Sequence, residues 1–341
     1  MITLKNPLDM HLHLREGEIL ESVLPFSAQG FSGGVVMPNL KTPLSSTALA
    51  LEYQAHITRL APHFTPFMTI FLTPSLTREE LVRAKEAGIQ ILKLYPKGST
   101  TGSEGGVKEI LSDEILRLFD IAQELGFILS IHGESGGFCM EREFEFLGVF
   151  EAIARDFPRL RTIIEHISDR RSLKLIESYP SLYGTLTLHH ITLCLDDVCG
   201  GGLNPHLFCK PMLKTPRDRD ALRQAALSAH PKLCFGSDSA PHLNAMKLRA
   251  NGAAGIFSAP IVLPALAELF QSHNALEKLQ AFVSDNAMAN YGLQSRAIAE
   301  KRVHLAREEW RVPECIDTPL GAIVPLRAGE ILSWRIKAVE A

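Results

Sequence analysis

Short apolar runs rich in β-branched and aromatic residues recur along the chain, and stretches with helical periodicity lie between them. Such runs predict buried strands, whereas apolar residues spaced three and four apart predict amphipathic helices. We expect strands at 8–14, 33–38, 66–72, 89–95, 127–132, 161–166, 182–189 and 232–237. The clearest helical stretches between them are 78–87, 113–125, 144–156 and 172–178.

This alternation of strands and helices, repeating about every thirty residues, favours an α/β fold with a closed parallel barrel, the (β/α)8 or TIM barrel. The alternative is a doubly wound open sheet, which places a glycine-rich phosphate-binding turn after its first strand. Here that turn reads Arg15-Glu16-Gly17-Glu18, which is not a phosphate-binding turn. We therefore predict a catalytic barrel domain over residues 1–295.

The tail from residue 296 has a different pattern. It contains a charged segment and then a strand-like run at 330–337 that includes Trp334. We predict that residues 296–341 form a C-terminal extension packed on the barrel, not an independent domain.

Composition and charge narrow the classes of function. Hydrophobic residues make up 46% and charged residues 21% of the 341 positions, as in a globular protein with a large core. The net charge of −3 gives no reason to expect a nucleic-acid partner or a polybasic membrane anchor. The six cysteines form no C-x-x-C pair and are interpreted as reduced thiols, which is consistent with a cytoplasmic location. We expect no signal peptide, because the first fourteen residues lack a long apolar stretch. We expect no membrane span, because the longest candidate, 253–270, is interrupted by two prolines.

In a barrel of this kind the functional side chains lie at the carboxyl ends of the strands. The first predicted strand ends with His11-Leu12-His13, and because strand side chains alternate, both imidazoles point to one side while Leu12 faces the helices. The pair can bind one metal ion. A single His-x-His is, however, more often a buried pair whose nitrogens are hydrogen-bonded to neighbouring groups.

Three further residues favour the metal. His132 and His166 end separate strands, and Asp238 ends the last strand, which lies beside the first strand in a closed barrel. Neutral imidazole nitrogens together with one carboxylate suit zinc.

Lys93, at the end of the fourth strand, bears on the number of metal ions. Burial and nearby positive charge favour its neutral amine, which can add carbon dioxide and become a carbamate able to bridge two cations. The alternative is a lysine that pairs with a carboxylate or extends to solvent. Composition by itself favours this alternative.

The strand-end motifs taken together resemble those of the dihydroorotase family of the amidohydrolase superfamily, in its shorter bacterial type. The resemblance runs in order from Asp9 to about Pro260 and covers nearly the whole barrel, so it is highly specific. The matching motifs are His11-x-His13-x-Arg15, Met37-Pro38-Asn39, Lys93-Leu94-Tyr95-Pro96, His132-Gly133-Glu134, Glu165-His166-Ile167, Asn204-Pro205-His206-Leu207-Phe208-Cys209-Lys210-Pro211 and Gly236-Ser237-Asp238-Ser239-Ala240-Pro241-His242.

The resemblance implies a zinc-dependent cyclic amide hydrolase with two Zn²⁺ per chain. The implied metal ligands are His11, His13 and Asp238 for the first ion, His132 and His166 for the second, and carboxylated Lys93 bridging the two together with a hydroxide. The implied reaction is the reversible hydrolysis of (S)-dihydroorotate to N-carbamoyl-L-aspartate in pyrimidine (UMP) biosynthesis. The bridging hydroxide attacks the ring carbonyl, and Asp238 acts as general base and then as general acid.

Substrate choice requires a group that binds a carboxylate. Arg15 lies two residues beyond the histidine pair on the same strand face, and its guanidinium fork suits a carboxylate. The resemblance adds Asn39 and His242 as carboxylate contacts, and main-chain groups at Lys210 and Ala254 as contacts to the ring. A lysine at position 210 departs from the apolar residue usual in the family, which a main-chain contact tolerates.

The segment 98–106 follows the fourth strand and is rich in glycine, serine and threonine. Composition indicates only a surface connection. The resemblance implies a lid that closes over the substrate, with the Thr100 and Thr101 hydroxyls donating to it.

The remaining histidines and acidic residues carry no predicted ligand role. Glu134 and Glu165 either orient neighbouring imidazoles or face solvent. The sequence does not distinguish these two possibilities. His189 and His190 end the seventh strand, where one of them can line the barrel mouth, but the ligand set is already full. His206 and Cys209 are interpreted as structural. The surface or helix residues are His56, His63, His230, His273 and His304.

Three other functions fit parts of the pattern. Hydrolysis of a hydantoin or a dihydropyrimidine would also use both metals, but these substrates lack the carboxylate that Arg15 and Asn39 would bind. A one-metal base deaminase leaves Lys93 without a role. A non-catalytic paralogue usually loses ligands, whereas here every expected position is filled. The resemblance also implies a homodimer, which nothing in the residues tests.

Overall fold

The computed structural model describes residues 1–341 and contains an eight-stranded parallel barrel whose strand order follows the chain. Its strands are β2 (Leu8–Leu12), β3 (Gly33–Val36), β4 (Thr65–Phe71), β5 (Ile91–Leu94), β6 (Ile128–Ile131), β7 (Arg161–Ile164), β8 (Leu182–Leu186) and β9 (Leu233–Phe235). The last strand returns to the first, because Asp238 N–H donates to the His11 carbonyl at 2.8 Å and His13 N–H donates to the Ser239 carbonyl at 3.0 Å. The barrel prediction is confirmed.

Helices cover the outside of the barrel. They are α1 (Gly17–Gly30), α2 (Thr47–Leu60), α3 (Arg78–Glu86), α4 (Asp113–Glu124), α5 (Arg142–Asp156), α6 (Arg171–Ser178), α7 (Leu188–Thr192), α8 (Leu195–Cys199), α9 (Pro216–Leu227), α10 (Asn244–Lys247), α11 (Val262–Ser272) and α12 (Asn286–Asn290). Helix α4 shows the rule that forms them: Ile115, Leu118, Phe119 and Ala122 recur at helical spacing and are buried against the sheet. No helix has both the length and the apolar character needed to cross a membrane.

Several strands end earlier than predicted, and the largest difference is at β8, the seventh strand of the barrel. The run expected to continue to His189 ends at Leu186, and His189 and His190 lie in α7 instead. The reason is a local cap: the Thr187 hydroxyl accepts from His190 N–H and begins the helix.

A second sheet joins the two ends of the chain. Its strand order is β1 (Ile2–Lys5), β10 (Arg302–Arg311) and β13 (Ile331–Glu340), and both pairings are antiparallel. In the chain, a separate hairpin of β11 (Ile316–Thr318) and β12 (Gly321–Ile323) connects β10 to β13. Trp334 is buried and its indole donates to Gln271 of α11 at 2.7 Å. The tail thus packs on the barrel helices, but its sheet also contains residues 2–5, which the sequence did not predict. The boundary at 295/296 stays a prediction.

Candidate active site

The carboxyl ends of six barrel strands bring polar side chains to one small cavity. Its lining residues are His11, His13, Arg15, Asn39, Tyr95, Thr100, Thr101, His132, His166, Lys210, Asp238, Ala240, Ala254 and Gly255. Arg15, His166 and Asp238 have φ angles of 62°, 39° and 44°, in the left-handed region that side chains other than glycine rarely adopt. Strain of this kind persists only where surrounding contacts hold it, and it is concentrated at functional sites.

His11, His13 and Asp238 form one group of donors. The Asp238 Oδ1 lies 3.1 Å from His13 Nε2 and 3.5 Å from His11 Nε2, and the three ligand atoms all lie within 4.8 Å of one another. Burial lowers the pKa of both imidazoles, so both are neutral and each can offer a nitrogen lone pair. This is the donor chemistry that zinc prefers.

Glu165 fixes the orientation of His11. Its carboxylate accepts from His11 Nδ1 at 2.8 Å, from the Thr185 hydroxyl at 2.6 Å and from the Ser130 hydroxyl. Burial by itself raises the pKa of the Glu165 carboxyl. The opposite effect is larger, because His11 and Lys93 lie nearby and His11 and Ser130 donate hydrogen bonds, so the pKa is about 2. Because Nδ1 carries the proton, Nε2 is the nitrogen left for a metal.

His132 and His166 form a second group, in which Nδ1 of His132 lies 3.1 Å from Nε2 of His166. The other nitrogen of His132, Nε2, lies 2.7 Å from the Glu134 carboxylate, so this imidazole offers Nδ1 to the cavity. The two buried glutamates therefore orient neighbouring imidazoles and do not face solvent, which the sequence could not decide.

Lys93 lies at the same rim and is fully buried. Its Nζ has no hydrogen-bond partner and lies 5.0 Å from the centroid of the Tyr95 ring. Burial lowers the pKa of Lys93 to about 8, which favours the reactive neutral amine. A buried amine without a partner beside five metal-type donors fits the carbamate bridge of a two-metal centre.

Asp9 closes the barrel beneath this rim and was not among the predicted residues. Its Oδ1 accepts from Ser237 N–H at 2.7 Å and from His11 N–H at 3.2 Å. One carboxylate thus ties the end of β9, which carries Asp238, to the strand that carries His11. The only feature of the sequence that could have indicated this role of Asp9 is that a charged residue stands inside an otherwise apolar strand.

The predicted carboxylate contacts also meet at the cavity. Arg15 donates through Nε to the Pro241 carbonyl at 3.0 Å, and its Nη2 lies 3.0 Å from His242 Nε2. That nitrogen is also 2.9 Å from the Ala254 carbonyl, so its tautomer decides which of the two contacts is a hydrogen bond. The Asn39 amide donates to the Thr101 carbonyl at 2.9 Å.

The segment 98–106 lies over the cavity, with Thr100 and Thr101 in its lining. The Lys210 ammonium donates to the Ser99 carbonyl at 3.0 Å, so the side chain that departs from the family pattern contacts the predicted lid. The two hydrogen bonds from Asn39 and Lys210 hold this segment against the barrel.

His189, His190 and Cys209 come together as a third buried set of donors. His190 Nε2 lies 3.0 Å from the Pro211 carbonyl and the Cys209 thiol donates to the same oxygen at 3.2 Å, which supports a structural interpretation for both. The His189 nitrogens have no hydrogen-bond partner.

Comparisons with known proteins agree with this geometry. A curated dihydroorotase of Helicobacter hepaticus is 67% identical over 337 residues, which cover 98% of each chain. The chain belongs to the dihydroorotase family. The crystal structure of the Campylobacter jejuni dihydroorotase has a TM-score of 0.93 at 42% identity and covers 99% of this chain and 97% of its own. The dihydroorotase of Saccharomyces cerevisiae, solved in complex with 5-fluoroorotic acid, has a TM-score of 0.93 at 34% identity over 98% of each chain.

The sequence resemblance and the expected enzyme class, a cyclic amide hydrolase, are confirmed by these dihydroorotases. No protein-family model matches the chain. The roles of the individual rim residues stay predictions, now with a defined arrangement in space.

Proposed function

We propose that this chain catalyses the reversible hydrolysis of (S)-dihydroorotate to N-carbamoyl-L-aspartate in pyrimidine biosynthesis. The observation that carries the proposal is that two groups of metal donors lie at the rim that also holds the buried, unpartnered Lys93 amine, in a chain 67% identical to a dihydroorotase. The donor types and the buried lysine fit a two-zinc centre.

In this proposal His11, His13 and Asp238 hold one Zn²⁺, and His132 and His166 hold the other through Nδ1 and Nε2. Lys93, carboxylated on Nζ, would be the ligand shared by the two ions, and the carbamate would replace an unfavourable buried ammonium with an anion. When bound, the two ions activate water at neutral pH and polarise the ring carbonyl. Glu165 and Glu134 keep the ligand nitrogens of His11 and His132 unprotonated and aimed at the centre.

Asp238 moves the proton. It is buried at the rim, and burial raises the pKa of its carboxyl, which helps it to accept a proton and to release it to the departing amide nitrogen. Its strained backbone, tied to His11 through Asp238 N–H, fixes the carboxylate between the metal donors and the substrate space.

Arg15 selects the substrate by its carboxylate, with Asn39 and His242 beside it. The guanidinium is half-buried at the cavity wall, where an ion pair is screened less by water than at an open surface. Main-chain groups of Lys210 and Ala254 contact the ring, and Thr100 and Thr101 donate from the lid. Hydantoin and dihydropyrimidine rings offer no carboxylate to Arg15.

The enzyme acts on a small molecule in the cytoplasm as a homodimer.

The test is turnover by the purified, zinc-loaded protein of dihydroorotate, hydantoin and dihydrouracil, with metal content measured on the same sample. We expect turnover of dihydroorotate only, with two zinc ions per chain. Faster turnover of hydantoin than of dihydroorotate would refute the proposal, and one zinc per chain would refute the two-metal centre.

A further inference from the structure

One wall of the cavity is built from two irregular loops, not from barrel strands. Residues 208–210 supply Lys210, and residues 253–255 supply Ala254 and Gly255. The N–H groups of Lys210 and Ala254 donate no hydrogen bond within the chain. Two peptide groups on this wall are therefore free to donate to a ring, but only if the loops are held at the correct spacing.

Lys247, the last residue of α10, lies behind this wall and is 4% exposed. Its Nζ donates to the carbonyls of Phe208 at 2.9 Å, Ala253 at 3.0 Å and Gly255 at 2.7 Å. These three bonds use all three ammonium protons. A single buried charge thus joins both loops.

The three carbonyls lie close to the free N–H groups in sequence. Ala253 and Gly255 flank Ala254, and Phe208 precedes Lys210 by two residues. Gly255 N–H also donates to the Phe208 carbonyl at 2.9 Å, so the loops meet directly at the point where Lys247 binds them. Gly255 has a φ of 147°, a conformation open to glycine and costly for other residues.

We propose that Lys247 is a positioning residue that holds the Lys210 and Ala254 peptide groups at the spacing needed to bind the substrate ring. The proposal deepens the proposed function and rests on it for the identity of the ring. Lys247 Nζ donates to these three carbonyls and to none of the metal donors, so its effect is on substrate binding and not on the chemical step.

Lys301 provides a matched control. It is 3% exposed, and its Nζ donates to the carbonyls of Ala28 in the last turn of α1 and of Phe31 just after it, away from the cavity. Removing either ammonium leaves buried carbonyls without a donor, so both variants lose stability for the same reason. Only the Lys247 change alters the cavity wall.

The experiment compares Lys247→Met, Lys247→Arg and Lys301→Met with the wild type, all zinc-loaded. The measurements are metal content, KM and kcat for dihydroorotate, the Kd of orotate, and hydrogen exchange of the amides at 208–211 and 253–256. For Lys247→Met we expect KM and the orotate Kd to rise roughly 10- to 100-fold, since charge-assisted hydrogen bonds to two loops are lost. Exchange at both loops should become faster, while metal content stays at the wild-type level and kcat changes far less than KM.

Lys247→Arg keeps the charge and is expected to give a smaller rise, which keeps the test valid if Lys247→Met does not fold. Lys301→Met should keep the wild-type KM and orotate Kd. Unchanged orotate binding and loop exchange in both Lys247 variants would overturn the proposal, as would an equal loss in Lys301→Met. A wild-type protein that binds orotate but does not turn over dihydroorotate would instead refute the proposed function.

Discussion

Replacing Glu165 is expected to weaken zinc binding, although this carboxylate is not among the proposed metal ligands. Glu165→Gln keeps the shape of the side chain. Its amide oxygen can still accept from His11 Nδ1 and Thr185, and its NH₂ can donate to Ser130, whose hydroxyl can rotate to accept. The variant therefore loses the charge but keeps the His11 tautomer. Glu165→Leu loses both.

The expected loss of zinc affinity follows from what partners that orient a metal ligand generally contribute. Partners of this kind typically contribute roughly 10- to 100-fold in metal affinity, and we expect the low end for Glu165→Gln and the high end for Glu165→Leu. Glu165→Leu also leaves up to three buried donors unsatisfied, each of which costs about 1–3 kcal/mol of stability. The effect spreads to the second donor group, because His166 N–H donates at 2.7 Å to the Thr185 hydroxyl that Glu165 binds.

The assay is zinc affinity by competition with a chelator, alongside kcat and thermal unfolding of the zinc-free protein. Asp218→Asn is the control, because Asp218 is another buried carboxylate that accepts from Thr215 and Arg170 but lies outside the cavity. It should lose stability and keep its zinc affinity. Wild-type zinc affinity in Glu165→Leu, or an equal loss in Asp218→Asn, would show that the carboxylate does not orient His11.

Three other substitutions test the rim directly. Lys93→Ala should lose most bound metal and lower kcat by roughly 100-fold or more. A short carboxylic acid added to the assay should partly restore both the metal content and kcat. Full metal content in the variant would contradict the bridging role. Asp238→Asn should keep the fold, measured by circular dichroism, and lower kcat by about 10²- to 10⁴-fold, so a rate near that of the wild type would remove the proton-transfer role. Arg15→Lys replaces the fork by a point charge and should raise KM about tenfold with little change in zinc content, whereas an unchanged KM would show that Arg15 does not bind the carboxylate.

The fold and the membership of the rim could be predicted because both depend on local pattern. Alternating apolar runs and helical periodicity specify a barrel, and a barrel brings all carboxyl strand ends to one rim whatever the side chains are. His11, Lys93, His132, His166 and Asp238 were found by this rule, without knowledge of any distance.

What the sequence could not predict depends on contacts between distant residues or on side-chain direction. Glu165 is adjacent to His166 in the chain but accepts from His11, which no spacing rule indicates. The Lys247 ammonium reaches a carbonyl 39 residues away in sequence. The apolar run through Leu188 suggested a longer strand, but one hydroxyl at Thr187 was enough to begin a helix.

The pairing of Ile2–Lys5 with Arg302–Leu305 has a consequence for how the molecule is assembled. A ribosome makes the first strand of this sheet about 300 residues before its partner exists, so the sheet cannot form until residues 302–305 have been made. The nascent chain carries His11 and His13 only a few residues beyond that unpaired strand. Removing residues 302–341 would therefore leave residues 2–5 as an open strand edge, a place where another copy of the chain can pair and aggregate.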